Sequence, residues 1–141
     1  MQTHLAPRAL RSIQEPDKDV TVLFAVQPNR KAILFIHGFS GDAITTWSCF
    51  PQLLPGTPAF SGRDLFFYGF DGLWADLTAS AAMFRDFLDR LFGRVSRMVN
   101  DNLPVMAQRA IGFDFDELVI VAHSLGAVIA RRALLDATAQ G

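Results

Sequence analysis

Cysteine is nearly absent from this chain, and the one it has, Cys49, lacks an internal partner, which excludes a disulfide scaffold. Histidine is scarce. His4, His37 and His123 are the three, and no Cys/His cluster has metal-ligand spacing, so no metal site is expected. Charge is also thin, at 19% of residues, with 13 Lys and Arg against 14 Asp and Glu. No basic block is denser than the pair Arg131 and Arg132, which excludes nucleic acid as the main partner. Apolar runs reach only about five residues, far short of the roughly 20 that cross a bilayer, so no transmembrane segment is expected. No signal-peptide core stands in residues 1–19, and the expected location is cytoplasmic.

What is present is apolar bulk: half of the 141 residues are hydrophobic and 13 are Phe, enough for the core of one domain. Residues 1–19 read as a loose lead-in, and residues 20–141 as one folded unit without repeats or a linker. Val20–Val26 predicts a first strand, closed by the turn formers Gln27, Pro28, Asn29 and Arg30. Ala32–Ile36, Asp64–Tyr68 and Leu118–Ala122 predict three more. Continuous rather than alternating apolar runs suit strands covered on both faces. From Leu73 the period lengthens. Leu77, Ala81, Phe84, Leu88 and Leu91 recur at helical steps, with Asp76 as a candidate cap, and Leu125–Ala137 predicts a last helix. Between Gly93 and Asp116 the pattern permits helix on either side of Pro104, with Gly112 as a stop. Strand and helix in alternation give an α/β class, with a mostly parallel sheet flanked by helices. The long stretch His37–Arg63 reads as a loop of the length that carries function.

The segment that carries chemistry runs from Val119 to Ala127, where Ser124 stands between an apolar strand and an apolar helix. Small residues lie two before and two after it, Ala122 and Gly126. A strand that turns sharply into a helix presents such a serine as a nucleophile, and only small neighbours fit beside the strained turn. The start of the helix also directs its free N–H groups and positive dipole end at developing negative charge. Acyl transfer needs further donors for the oxyanion. His37, Gly38, Phe39, Ser40 and Gly41 follow directly on the Ala32–Ile36 strand, and the backbone N–H groups of Phe39 and Leu125 are the candidate pair. His37 is expected to position this turn, Gly38 and Gly41 to shape it, and His123 to pack within the elbow. Trp47, Phe39 and Phe50 could line an acyl pocket, though aromatic residues more often form simple core. Cys49 reads as a small packed residue.

Strand, His37-Gly38-Phe39-Ser40-Gly41, a strand ending at Tyr68, a helix, then strand and Ala122-His123-Ser124-Leu125-Gly126 resemble the N-terminal half of the α/β-hydrolase superfamily. Within it, Gly41-Asp42 followed by Thr46-Trp47 is similar to lipase-like and GPI-inositol-deacylase-like esterases. The usual elbow has glycine where Ala122 stands. The resemblance implies hydrolysis of a carboxylic ester, acyl or lipid-like, by a serine nucleophile without a cofactor. It also implies an acid and then a histidine base later in the chain. The 17 residues after Ser124 contain Asp136 and no histidine.

The expectation is therefore an incomplete α/β-hydrolase fold whose acid and base lie outside these residues, and which alone hydrolyses little. Such a sheet should expose an edge prone to self-association. Two other readings stay open: a non-catalytic hydrolase-like module that binds a lipid or protein partner, and acyl transfer instead of hydrolysis.

Overall fold

The computed structural model describes residues 2–10, 20–72, 76–93 and 95–139. Five strands form one sheet: β1 (Arg8–Ala9), β2 (Val20–Leu23), β3 (Lys31–Ile36), β4 (Arg63–Tyr68) and β5 (Glu117–Ala122), in the order β1-β2-β4-β3-β5. Four α-helices accompany them: α1 (Phe50–Leu53), α2 (Leu77–Gly93), α3 (Val95–Asn100) and α4 (Leu125–Ala139).

The α/β class holds, but the sheet is mixed rather than mostly parallel. β3 runs parallel to β4 and to β5, whereas β2 is antiparallel to β4 and β1 to β2. The reason is reach. A parallel return needs a crossover of about a dozen residues or more, and the link over residues 24–30 is too short to reverse the chain twice. β2 therefore runs opposite to β3, a direction that apolar runs alone do not encode.

The described part of the lead-in is not loose. Arg8 pairs with Val22, His4 bridges to Ala25, and the Leu5 N–H donates to the Phe24 carbonyl at 2.8 Å. The first strand ends at Leu23 rather than Val26, because beyond it the backbone at Ala25 pairs with His4 instead. Leu73 lies outside the described residues. α2 opens after Asp76, whose carboxylate accepts the Ala79 N–H at 3.0 Å, an N-terminal cap as expected. Helix stands on both sides of Pro104, as α3 and as one 3₁₀ turn, Val105–Ala107. The stretch His37–Arg63 is less irregular than expected. It folds into α1 and three 3₁₀ turns, Thr45–Trp47, Leu54–Gly56 and Pro58–Phe60.

Alternation along each strand divides the core into two layers. Ala32, Leu34 and Ile36 with Phe66 and Tyr68 face Phe84, Phe87 and Leu91 of α2 and Ile129 and Ala133 of α4. Ile33, Phe35, Leu65 and Phe67 face Ala43 and Trp47 on the other side. Burial on both faces thus holds for β3 and β4, while every residue of β5 is exposed or only partly buried. Among the described residues, no helix is long and apolar enough to cross a membrane.

Candidate active site

β3 and β5 end side by side, with Ile36 paired to Ala122, so the segments that follow them meet at one end of the sheet. β5 turns into α4 through His123 and Ser124, and Ser124 takes φ of 54°, the left-handed region that a non-glycine residue enters at a cost of about 1–3 kcal/mol. Contacts to backbone hold it there. The His123 N–H donates to the Ile36 carbonyl at 3.0 Å, and the Gly126 N–H to the His123 carbonyl at 3.0 Å. A Cβ at Gly126 would overlap the His37 carbonyl oxygen and lie 2.7 Å from that of Ile36, so only glycine lets α4 start this close to β3. Ala122, one step inside the strand, is partly buried against the α2 and α4 side of the core.

The turn after β3 abuts the serine from the other side. A Cβ on Gly38 would lie 2.7 Å from Ser124 Cβ and 2.9 Å from the His123 carbonyl oxygen. The Gly41 N–H donates back to the Gly38 carbonyl at 3.2 Å, and Ser40 has φ of 53°, as the third residue of a type II turn requires. Thr46 Oγ1 sits against Gly41 and accepts the Asp42 N–H at 3.0 Å. Phe39, at the corner, is 63% exposed. Among the described residues, neither the Phe39 N–H nor the Leu125 N–H donates a hydrogen bond, and the Ser124 hydroxyl has no partner.

His37 is fully buried and both its nitrogens are engaged. Nε2 accepts the Phe70 N–H at 3.0 Å, which leaves the proton on Nδ1 to be donated to the Gly38 carbonyl at 2.9 Å. Its ring stacks on Phe70 at 4.2 Å with 7° between planes. Such a ring fixes the turn and has no free nitrogen for Ser124. His4 lies at the opposite end of the sheet, its Nε2 donating to the Arg63 carbonyl at 2.8 Å. His123 is exposed rather than packed, because no described element covers the outer side of β5.

Asp42 shapes the turn from below. Its carboxylate accepts the Thr45 hydroxyl and the N–H groups of Thr45 and Ile44, which hold it below the ordinary carboxylate range. Trp47 is core, 5.1 Å from the Phe35 ring and 6.4 Å from Phe50, while Cys49 is exposed rather than packed. Among the described residues, no group of three or more His, Cys, Asp or Glu could hold a metal ion.

The structure thus brings Ser124, Leu125, Gly126, His123 and Ala122 to the turn that carries His37, Gly38, Phe39 and Gly41. Two residues have parts in the turn that the sequence reading did not assign, Phe70 and Asp42. Asp42 carried a signal, an acidic residue followed two and three places on by N–H groups it can accept. Phe70 carried none, since its part is played by a backbone N–H. No protein-family model, curated protein or solved structure matches the chain.

Proposed function

We propose that this chain carries the nucleophile and oxyanion donors of a serine hydrolase acting on carboxylic esters, with an α/β-hydrolase-like elbow at Ser124. The observation that carries the reading is the strand-to-helix turn at Ser124, left-handed at the serine and wedged against the Gly38 turn. In the reaction, Ser124 Oγ would attack the ester carbonyl carbon while its proton passes to a base. The oxyanion would receive the N–H groups of Phe39 and Leu125, and the alcohol would leave with a proton. His37 has both nitrogens engaged and His4 lies at the opposite end of the sheet, so neither serves as that base. The substrate is an acyl or lipid-like ester, and no cofactor takes part.

A fluorophosphonate probe tests the elbow without needing turnover: Oγ bonds to phosphorus, fluoride leaves, and added imidazole takes the proton. Labelling of Ser124 should rise with imidazole and vanish in Ser124→Ala. A folded chain that stays unlabelled at high imidazole would overturn the reading. That result would favour the second one, a non-catalytic module binding a lipid or protein partner, which the exposed Phe39 ring beside Ser124 supports.

A further inference from the structure

Gly72 joins Gly38 and Gly126 as a glycine packed directly against backbone, and it is buried. Its φ is not positive, so its backbone is one that any residue adopts. What glycine supplies there is room. A Cβ on Gly72 would lie 2.8 Å from the Gly38 carbonyl oxygen, 3.0 Å from the Ser40 nitrogen and 3.4 Å from Phe39 Cα. Two residues earlier, the Phe70 N–H is held by His37 Nε2 at 3.0 Å. The backbone that follows β4 therefore forms a seat for the turn that carries the candidate oxyanion donor.

We propose that Gly72 is a positioning residue for the oxyanion donor, setting the tilt of the peptide group that joins Gly38 to Phe39. The Gly38 carbonyl and the Phe39 N–H belong to that one planar trans peptide, and they point in opposite directions. Wherever the oxygen is held, the N–H is aimed the other way. The His37 Nδ1–H donates to this oxygen at 2.9 Å and the Gly41 N–H at 3.2 Å, while Gly72 packs against it. The two hydrogen bonds also polarise the peptide, which makes the Phe39 N–H a stronger donor. A methyl group at position 72 would push the Gly38 oxygen and the Ser40 nitrogen off their seat and swing the N–H with them. A donor displaced from the developing charge loses its effect steeply, because the charge forms at one place. The inference rests on the esterase reading of Ser124 and adds to that site the segment that follows β4.

Fluorophosphonate labelling of the 141-residue chain in imidazole tests this, with the maximal rate separated from the half-saturating probe concentration. Gly72→Ala should lower the maximal rate about tenfold or more and leave the half-saturating concentration unchanged. Phe39 supplies the control. It stands at the second position of the type II turn, where proline is favoured, so Phe39→Pro removes the N–H and keeps the turn. In that background Gly72→Ala should slow labelling by less than about twofold, because the donor it positions is gone. Equal slowing in both backgrounds, or a Gly72→Ala chain that labels at the natural rate, overturns the proposal and leaves Ser124 as the nucleophile. A natural chain that never labels overturns the esterase reading and this proposal with it. If Gly72→Ala does not fold, the natural chain carries the test: a nuclear Overhauser contact is expected between the Gly72 Hα protons and the Ser40 N–H, and its absence overturns the proposal.

Discussion

The sheet holds polar side chains at both ends of its parallel strands, and the two ends are built in opposite ways. At the head, where β3 and β5 finish, Ser124 and His123 are exposed, and the Ser124 hydroxyl and the Phe39 and Leu125 N–H groups lack partners among the described residues. At the foot, where β4 begins, Asp64 and Arg109 are buried and tied to each other at 2.8 Å. Asp64 also accepts the Ala25 N–H at 2.8 Å, and Arg109 donates to the Ala25 carbonyl at 3.1 Å. Asn100 holds the Arg109 backbone at both its N–H and its carbonyl, and Phe24 and Phe113 flank the guanidinium. The foot closes around its charges and fastens the segment after α3 to the sheet. The head spends backbone strain to keep polar groups open. Polar residues in one small domain can thus serve anchoring or reactivity, and burial against an opposite charge separates the two.

The comparison breaks most sharply at the foot. Arg109→Leu leaves the Asp64 carboxylate buried without its cation, and urea unfolding at pH 7 should show a loss of about 3–5 kcal/mol. The double change Asp64→Leu with Arg109→Leu should cost clearly less than the two single costs summed, and simple additivity would refute the coupling.

The next effect is a pH slope. Burial pushes the Asp64 carboxyl up to about 6, against the opposing pull of Arg109 and of the Ala25 N–H. The folded chain therefore binds this proton more tightly than the unfolded chain does. Its contribution is full below about pH 4 and is lost as pH rises through about 6, on the order of 2–3 kcal/mol. Asp42 and Glu117, held low by hydrogen bonds from Thr45 and Arg63, slope the other way, so the quantity to compare is the natural chain minus Asp64→Asn. A difference that stays flat between pH 4 and 6 would contradict the assignment.

The smallest effect belongs to the head. Gly→Ala inside a helix ordinarily gains about 1 kcal/mol, but at Gly126 the added methyl meets the His37 carbonyl, and overpacking of about 1–3 kcal/mol should win. Gly126→Ala should be less stable than the natural chain and label poorly at Ser124; a more stable, normally labelled variant would show that the elbow has slack.

The head was more legible in the sequence than the foot, for a physical reason. Its residues lie in two contiguous segments, and each announces itself by an apolar strand running into small and polar residues. The foot joins His4, Ala25, Asp64 and Arg109 from four separate places. Asp64 read as the polar start of a strand and Arg109 as one residue in a stretch with no clear period. The strands β3, β4 and β5 and the helices α2 and α4 were readable because apolar runs and helical steps record burial. Direction and pairing were not, so β1 and the antiparallel course of β2 emerged only from the fold. Nor did the sequence separate β5 from β3 and β4, since its residues are equally apolar while they stay exposed or only partly buried.

The contact of Gly38 with Ser124 has a kinetic meaning as well. It joins residues far apart along the chain, across a pairing of β3 with β5 that closes a long loop, the slow kind of contact in folding. Until that pairing exists, nothing holds Ser124 in its left-handed conformation, and a partly folded chain carries the motif without the elbow. Reactivity at Ser124 is therefore a clock for that long-range pairing, and it should start later than the helical signal of α2, whose backbone hydrogen bonds are local.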